Sequence, residues 1–402
     1  MGRLPVVIVG GGVGGVATAL ALGRQGRRVM LLEQADQIGA IGYGVQIGPN
    51  VLPMLQRLGV GEQALERAWL PTEIRWNELE TGRRLAEIPL RTPEFARRYG
   101  GSIYLAIHRV DLHELLVAAC RRCPDVELNE STTVQGYRQE GGRVAVLTAD
   151  GREIEAAAVI AADGLRSRIR AQMHPGDSPR DTGYVAHRTI LPMAKAPQAT
   201  QQRQGVTIWS SAGFHVIHYP LRNRSELNIV LVVRVPPGGE GDGPAYRTHL
   251  QGIMDAAQPE PRELIGRVNL ERRWSIADRE PIRRWADGRV TLLGDAAHAT
   301  LQSLAQGAGM AIEDAVALSD LLQEVGEDYA TAFQRLQRAR FLRTARVQME
   351  SRALWEVYHC SGLDAELRAA QWGERGAEDF YRCLDWLWTP LPQPTHALRN
   401  PA

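Results

Sequence analysis

The sequence carries almost no net charge, and this balance limits the partners that it can attract. Its 47 Lys and Arg residues nearly match its 46 Asp and Glu residues, which leaves a formal net charge of +1 at pH 7. A large excess of positive charge is what draws a protein to nucleic acid. We therefore expect no nucleic-acid partner.

Cysteine is scarce as well, since four cysteines in 402 residues do not make a disulfide framework. Cys120 and Cys123 form a C-x-x-C pair, but the sequence has no second pair and no histidine pair at the spacing of a zinc site. The pair ends a stretch with a helical pattern, so we interpret both thiols as helix-end packing, with redox or metal chemistry as the alternative. We expect no metal site.

A signal peptide and a repeat are also missing. The apolar run at residues 6–23 is broken by glycines and is not followed by a small-residue cleavage site. No repeat period occurs, and the only low-complexity stretch is the loop at residues 236–244. Because 402 residues are too many for one ordinary core, we expect two domains plus an extension. We expect a cytoplasmic protein with no membrane insertion.

The N-terminal stretch has the order that dinucleotide binding requires. A β-branched apolar run leads into Gly10, Gly12 and Gly15 at G-x-G-x-x-G spacing, with Gly14 in the same turn, and a helical pattern follows. The first glycine permits the tight turn, the second lets the backbone approach a pyrophosphate, and the third lets helix pack on strand. The pyrophosphate then meets a helix N-terminus, whose unpaired N–H groups favour anions.

Glu33 ends the second apolar run of this stretch. A carboxylate there accepts hydrogen bonds from both ribose hydroxyls and repels a 2′-phosphate. The sequence therefore predicts a dinucleotide without a phosphate on that ribose. A glycine-rich turn without a ligand is the alternative, and the strand, helix and acid around the motif argue against it.

Glycines and an arginine mark two further places where the chain could touch a ligand. Four glycines lie between residues 39 and 48, and Gly44 is among them. Apolar residues alternate with them, which favours backbone lying against a flat ligand over a flexible surface loop. Arg109 directly precedes a helical stretch and could reach a phosphate or a flavin edge; a surface ion pair is the alternative.

A second informative stretch begins where a strand-like run ends at Gly294-Asp295. A loop containing Gly307, Ala308 and Gly309 follows, and a long helical pattern begins near residue 310. An acid and glycines at the start of a helix are typical of a second phosphate or ring contact. We expect this stretch to meet the same ligand as the N-terminal motif.

The rest of the chain is rich in strand-like alternation. Residues 72–89 have the pattern of a hairpin inserted into the nucleotide domain. Residues 183–273 have the pattern of a second, largely antiparallel sheet, one face of which can cover a ligand. Helical patterns extend to about residue 370, and the aromatic tail at residues 385–392 is apolar enough to bury against the body or a second subunit.

Three separated motifs together resemble the single-component FAD-dependent aromatic hydroxylases, the class A flavoprotein monooxygenases. They are the N-terminal glycine motif with its acid, Asp163-Gly164 at the end of a strand-like run, and the sequence GDAAH that begins at Gly294. The resemblance spans residues 5–390 and implies that the first motif binds the ADP half of FAD. It also implies that Asp163 serves FAD and the nicotinamide nucleotide, that Asp295 contacts the ribityl and pyrophosphate region, and that Arg109 contacts FAD.

The fold that this resemblance implies is α/β. We expect a Rossmann-like βαβ FAD-binding domain with an inserted, mainly antiparallel β-sheet substrate domain and C-terminal helices. The expected boundaries are 1–71, 102–180 and 276–345 for the FAD-binding domain, 72–101 and 181–275 for the substrate domain, and 346–402 for a helical C-terminal extension.

The residues after GDAAH narrow the resemblance. Many family members carry a proline there, whereas this chain has Thr300-Leu301-Gln302-Ser303-Leu304. The variant is similar to the members that hydroxylate 3-hydroxybenzoate para to its phenolic oxygen and form gentisate; hydroxylation of salicylate or 6-hydroxynicotinate is the alternative. By that resemblance His215 and Gln302 contact the phenolic oxygen, and Tyr104 and Tyr219 belong to the substrate pocket.

His215 is the candidate base, because an imidazole titrates near working pH and a phenol that loses its proton becomes electron-rich at the para carbon. In the run FHVIHYPL, His215 and Tyr219 share a face with Ile217, whereas His218 lies on the other. A core histidine is the alternative for His215, and a solvated loop amide is the alternative for Gln302. No arginine is obvious for the substrate carboxylate, so we expect tyrosine hydroxyls to bind it.

The sequence contains no second G-x-G-x-x-G, so we expect no separate nucleotide-binding domain for the electron donor. We expect NADH, with NADPH possible, to visit the flavin transiently, and O2 and a small aromatic acid to be the other substrates. We also expect a homodimer. An NAD-dependent dehydrogenase and a non-catalytic flavin-binding protein are the alternatives, and the two later aspartate motifs argue against the dehydrogenase.

Overall fold

A computed structural model describes residues 3–39, 42–236 and 243–391. Most of the expected low-complexity loop lies outside the described residues. So do residues 1–2 of the expected FAD-binding domain and residues 392–402 of the expected C-terminal extension. Among the helices of the described residues, none combines the length and the apolar character that crossing a bilayer requires.

The described strands follow one another along the chain as β1 (Val6–Val9), β2 (Val29–Leu32), β3 (Gly44–Ile47), β4 (Glu73–Glu78), β5 (Arg84–Pro89), β6 (Leu105–His108), β7 (Val126–Asn129), β8 (Val134–Glu140), β9 (Arg143–Thr148), β10 (Glu153–Ala156), β11 (Ala158–Ala161), β12 (Arg180–Pro192), β13 (Val206–Ser211), β14 (Phe214–Leu221), β15 (Glu226–Arg234), β16 (Trp274–Asp278), β17 (Ala286–Asp287) and β18 (Val290–Leu292).

The described α-helices are α1 (Val13–Gly23), α2 (Leu52–Arg57), α3 (Gly61–Arg67), α4 (Pro93–Arg98), α5 (Arg109–Arg121), α6 (Arg168–Met173), α7 (Gln198–Gln201), α8 (Pro244–Ala256), α9 (Pro259–Ile265), α10 (Asp295–His298), α11 (Gly307–Val325), α12 (Tyr329–His359), α13 (Gly362–Gly373) and α14 (Ala377–Trp388). Short 3-10 helices lie at Met193–Lys195, Arg222–Arg224 and Gln302–Leu304.

One sheet carries the predicted βαβ unit. Its order is β17-β18-β11-β1-β2-β7, and every neighbouring pair is parallel except β17 with β18. β1 and β11 are apolar and buried along their whole length, as expected for central strands that are covered on both faces. α1 joins β1 to β2 and packs against α5 and α11. The predicted α/β fold is confirmed.

A second sheet has the order β16-β12-β15-β14-β13-β4-β5. It is antiparallel except where β13 pairs with β4, so the early hairpin of β4 and β5 forms one edge. Side chains alternate along β14: Ile217 and Tyr219 pack into one apolar cluster, and Phe214 and Val216 into another. His218 lies on the second face, where the Trp209 indole N–H donates to it at 3.3 Å. The alternation predicted for this strand is confirmed.

Two further short sheets have the strand orders β10-β9-β8 and β3-β6.

The long helix after GDAAH is α11, which begins at Gly307, ahead of the predicted start near residue 310. Its buried Asp314 and Glu313 each lie 2.7 Å from the guanidinium of Arg340 on α12. This buried ion-pair network locks α11 and α12 together behind the loop that follows β18.

The aromatic tail forms part of α14, so the helices extend beyond the predicted residue 370. Trp388 packs edge-on against Phe95, Tyr99 and Tyr104, with ring centroids 5.8, 5.7 and 5.6 Å away. The tail therefore buries Trp388 against the body of the same chain, while Trp386 stays partly exposed.

The C-x-x-C pair lies at the end of α5, beside α1. The Cys120 thiol lies 3.4 Å from the carbonyl oxygen of Val16, and burial raises its pKa to about 12. A Cβ on Gly23 would lie 2.8 Å from the Cys123 sulfur, so this thiol fills the space beside a glycine of α1. Within the part of the chain that the structure describes, no group of three or more His, Cys, Asp or Glu side chains could hold a metal ion.

Candidate active site

A cavity of about 370 Å³ lies between the loops that follow β1, β11 and β18 of the first sheet and one face of the second sheet. What we name its glycine end is lined by Gly12, Gly14, Asp295 and Gly307, and what we name its sheet end by Arg188, Ile217, Tyr219 and Gln302. A concave space of this size is typical of a small-molecule site. The cavity brings together the N-terminal motif, the GDAAH loop and the second sheet.

The turn after β1 has the shape that its glycines permit. Gly10 has a φ of +103°, which L side chains rarely adopt, and a Cβ there would lie 2.4 Å from the carbonyl oxygen of Ala162. A Cβ on Gly15 would lie 1.9 Å from the Gly10 carbonyl oxygen. A Cβ on Gly12 would meet no protein atom within 4 Å, because this position faces the cavity. The turn thus leaves open space at the N-terminus of α1, where a pyrophosphate is favoured.

Glu33 and His113 hold this turn in place. The Glu33 carboxylate accepts hydrogen bonds from the backbone N–H groups of Gly11 at 2.6 Å and Ala35 at 2.9 Å. A ring nitrogen of the buried His113 lies 2.6 Å from the Gly11 carbonyl oxygen. Burial lowers the pKa of His113, so its ring is neutral and donates that hydrogen bond. Sequence patterns missed His113 because it lies on α5, far from the motif that it supports.

Asp295 and Arg109 supply opposite charges at the glycine end. Both line the cavity, and the surrounding protein raises the pKa of the Asp295 carboxyl, against the opposing effects of His298 and Arg109. Burial lowers the pKa of Arg109, and Asp295 opposes that shift. His298 lies 2.6 Å from buried Asp314 of α11, so its contacts are structural. Asp295 and Arg109 are therefore the charged groups that a ligand at this end meets.

The two residues of the Asp163-Gly164 motif make different contacts. The Asp163 carboxylate accepts backbone hydrogen bonds from Arg168 at 2.9 Å and from Ile169 at 3.4 Å, so it caps the start of α6. Gly164, with a φ of +79°, lines the cavity. The structure thus brings the backbone of this motif to the cavity and turns its carboxylate toward a helix.

The other predicted glycine contacts also separate into two groups. Gly44, Gly307 and Ala308 line the cavity, whereas a Cβ on Gly309 would lie 2.7 Å from a methyl group of Val51. Gly309 therefore serves the close packing of α11 against the start of α2. A Cβ on Gly44 would lie 2.5 Å from the ring of Tyr219, so this glycine lets the ring reach the cavity.

His215 is not among the residues that line the cavity, but it lies on the same face of β14 as Ile217 and Tyr219, which do. Its Nδ1 atom is 2.7 Å from Nε2 of His359 at the end of α12, and the rings of Trp355 and Tyr358 meet it edge-on at 5.4 and 5.3 Å. Its Nε2 atom is buried and has no hydrogen-bond partner among the described residues. Burial holds the pKa of His215 well below its usual value, and His359 lowers it further. The ring is therefore neutral, and one of its nitrogens can accept a proton.

Gln302 and Arg188 meet at the sheet end. The Arg188 guanidinium donates to the Gln302 amide oxygen at 2.8 Å, and both side chains line the cavity. The Gln302 amide nitrogen is buried and has no partner among the described residues. Because the guanidinium engages the oxygen, the NH2 group is the part of the amide that can reach a ligand. No arginine is obvious in the sequence for a substrate carboxylate, and the structure places Arg188 in the lining of this cavity.

Two tyrosines extend the sheet end. Tyr219 lines the cavity, and the Tyr104 hydroxyl donates to the amide oxygen of Gln46, another lining residue, at 2.7 Å. Burial raises the pKa of both phenols, so both stay neutral. These rings contribute apolar surface and neutral hydrogen-bonding groups, and they bring no charge to a ligand.

Comparison with known proteins gives one consistent result. Residues 3–349 match the family model described as "FAD binding domain". The chain is 40% identical to 3-hydroxybenzoate 6-hydroxylase of Polaromonas naphthalenivorans (strain CJ2) over 390 residues, which cover 96% of each chain. It is 39% identical to the enzyme of the same name from Klebsiella oxytoca, over 95% of this chain and 96% of that one.

Solved structures share the fold. The chain superimposes on Klebsiella pneumoniae HpxO complexed with FAD and uric acid with a TM-score of 0.85, at 23% identity, over 97% of this chain and 98% of that one.

Proposed function

We propose that this chain, which belongs to the FAD-binding-domain family and is a flavin-dependent aromatic monooxygenase, hydroxylates 3-hydroxybenzoate para to its phenolic oxygen and releases gentisate. The observation that carries the proposal is the likeness, over nearly the full length of both chains, to two 3-hydroxybenzoate 6-hydroxylases. NADH is the proposed electron donor, with NADPH as the alternative.

The glycine end of the cavity fits FAD, the cofactor of this family. The open space beside Gly12 and the N-terminus of α1 suit the pyrophosphate. Glu33, at the end of β2 and outside the lining of the cavity, already accepts two backbone hydrogen bonds, and its carboxylate oxygens can accept from the ribose hydroxyls as well. Asp295 and Arg109 lie where the ribityl chain and the flavin ring system would extend toward the second sheet. FAD bound there and reduced by the nicotinamide donor supplies the activation of O2.

The phenolic oxygen of the substrate belongs at the sheet end, between His215 and Gln302. The neutral His215 ring accepts the phenolic proton at Nε2, the nitrogen without a protein partner. The Gln302 NH2 group donates to the oxygen that loses this proton. Negative charge on that oxygen raises the electron density of the para carbon, which is the carbon that gains oxygen in gentisate.

The contact with His359 selects the tautomer that this step needs. For Nε2 of His215 to accept a proton, its Nδ1 atom must carry one and donate it to Nε2 of His359, 2.7 Å away. Burial lowers the pKa of His359 to about 3, so that ring is neutral and its Nε2 atom can accept. His359 is therefore a positioning residue for His215.

The test is product analysis on the purified holoenzyme. We expect 3-hydroxybenzoate to stimulate NADH oxidation and O2 uptake, and gentisate to accumulate in an amount equal to the NADH consumed. The assigned substrate would be overturned if the enzyme did not turn over 3-hydroxybenzoate and instead formed catechol from salicylate or turned over 6-hydroxynicotinate.

We infer in addition that the enzyme acts in the cytoplasm as a homodimer. The nicotinamide donor that the reaction requires supports the first inference. Exposed Leu342 and Met349, both on α12, support the second, because paired chains could cover such apolar side chains. Light scattering of the eluted holoenzyme tests the dimer, and a mass of one chain would contradict it.

A further inference from the structure

Arg188 is a half-buried cation in the wall of the cavity. It lies on β12 opposite Val230 of β15, which in turn lies opposite Ile217 of β14. This register places the three side chains in one row across the face of the sheet that lines the cavity. Burial lowers the pKa of Arg188, but a guanidinium stays charged in a protein.

The charge of Arg188 has no carboxylate partner among the described residues. Fully buried arginines do: Arg340 pairs with Asp314 and Glu313, and Arg170 pairs with Asp177. The contacts of Arg188 are the neutral amide of Gln302 and the ring of Tyr43, whose centroid lies 5.9 Å from the guanidinium carbon. A charge that is shielded from much of the solvent and has no counter-ion is costly, so this position is suited to an anionic ligand.

The remaining charges of the cavity do not satisfy Arg188. The lining contains two other charged side chains, Arg109 and Asp295, and these two influence each other's pKa. Asp295 acts on Arg109, which in turn repels Arg188 and lowers its pKa. The anion must therefore come from a molecule that enters the sheet end.

We propose that Arg188 binds the carboxylate of the aromatic substrate and makes the site selective for aromatic acids over uncharged phenols. The proposal rests on the proposed function, and it names the group that reads the substrate's charge. A guanidinium has five N–H donors in a planar fork that matches a carboxylate, and one of them already holds Gln302. The others can bind the carboxylate while Gln302 binds the phenolic oxygen.

The arrangement suits a ring with its two substituents in meta positions. Arg188 and Gln302 are hydrogen-bonded neighbours, so a ring that uses both must carry its carboxylate and its phenolic oxygen close together, which a meta or an ortho ring does and a para ring does not. Ile217, Val230 and Leu301 provide apolar surface beside them for the ring itself. Tyrosine hydroxyls are weaker candidates, because a neutral O–H bonds a carboxylate less strongly than a guanidinium does.

The experiment compares an acid with its neutral amide. Titrations of wild-type holoenzyme, Arg188→Gln and Arg188→Lys with 3-hydroxybenzoate and 3-hydroxybenzamide are followed by the flavin absorbance change. We expect Arg188→Gln to weaken binding of the acid by about 10- to 150-fold, the usual worth of a charged hydrogen bond, and to change amide binding by less than about threefold. Arg188→Lys keeps the charge without the fork and should lie between the two.

The controls separate this proposal from its rivals. Arg338→Gln, at an exposed arginine on α12, should bind both ligands as the wild type does. Equal weakening of acid and amide in Arg188→Gln would overturn the proposal. So would an unchanged preference for the acid together with a lowered flavin reduction potential, since the cation would then serve the reduced flavin.

Failure of the proposed function gives a different result. A wild type that forms no gentisate, yet binds benzoates better than benzamides through Arg188, would reject 3-hydroxybenzoate as the natural substrate and keep Arg188 as the carboxylate receptor.

Discussion

The two ends of the cavity are built in different ways. At the glycine end, backbone atoms of the turns after β1 and β18 form much of the surface, and Asp295 and Arg109 add its charges. The side chains of Glu33 and His113 hold the first turn from outside the cavity. At the sheet end, side chains from separate strands and loops face the ligand, and they depend on one another, as Arg188 does with Gln302. The first end offers one fixed shape for a cofactor shared by a whole family. The second end can change its chemistry one side chain at a time.

The largest effect is expected at the glycine end, from Gly12→Val. The new side chain meets no protein atom near its Cβ and fills the space for the pyrophosphate, so the chain should fold and bind no FAD. Flavin absorbance after gel filtration measures binding, and thermal unfolding by circular dichroism measures folding. Gly15→Ala is the contrasting variant, because its Cβ would lie 1.9 Å from a carbonyl oxygen and should disrupt the fold itself. Stoichiometric flavin in Gly12→Val would contradict the assignment.

The next effect belongs to the sheet end. His215→Ala should keep its FAD and lose hydroxylation, with hydrogen peroxide released in place of product, because the phenol no longer has its base. Peroxide and gentisate are measured against the NADH consumed. His218→Gln is the matched control: it lies on the same strand, its side chain faces away from the cavity, and coupling should remain that of the wild type. Normal coupling in His215→Ala would remove His215 from the reaction.

Buried histidines on and beside the second sheet should make the stability of the protein sensitive to acid. Burial lowers the pKa of His359 to about 3 and that of His218 to about 4, both from 6.5. Between those values and 6.5 the unfolded chain binds more protons than the folded chain, so the free energy of unfolding falls as the pH drops. Each histidine contributes up to about 1.4 kcal/mol per pH unit in this window.

Urea unfolding at about pH 7 and about pH 5 measures this dependence, and His218→Gln should reduce it. An unfolding free energy that is the same at both pH values would show that these rings are not buried in their neutral form.

The smallest effect is expected from His113→Ala. Loss of the hydrogen bond to the Gly11 carbonyl should loosen the turn and lower FAD affinity about tenfold. Coupling of NADH oxidation to gentisate formation should not change, since His113 lies at the other end of the cavity from the phenol. His249→Ala on α8, which covers the far face of the second sheet, is the control. A coupling defect in His113→Ala would show that the two ends are not independent.

The difference between the glycine end and the sheet end also explains which features could be predicted from the sequence. Gly10, Gly12, Gly15 and Glu33 lie within one short stretch, so their spacing alone indicates their geometry. The alternation of His215 and His218 on β14 was also predictable, because the period of a strand is fixed.

The features of the site that the sequence could not predict depend on contacts between segments that are far apart in the chain. His359 lies 2.7 Å from His215 across 144 positions of sequence, and Arg188 reaches Gln302 across 114. No local pattern reports such a pair. A weaker signal did exist for Arg188, since a charged residue within the apolar strand pattern GYVAHRTILP needs a reason to be there. The sequence pattern also could not show that the Asp163 carboxylate caps a helix.

The parallel pairing of β13 with β4 has a consequence for any attempt to dissect the enzyme. Residues 73–89 finish a sheet whose other strands come from residues 180–278, so a contiguous fragment with the whole sheet must also include β6 to β11, of which β7 and β11 belong to the first sheet. A fragment cut at residues 181–275 would expose the long apolar rim of β13, which invites strand-to-strand aggregation. We therefore expect that the chain must be expressed and engineered at full length.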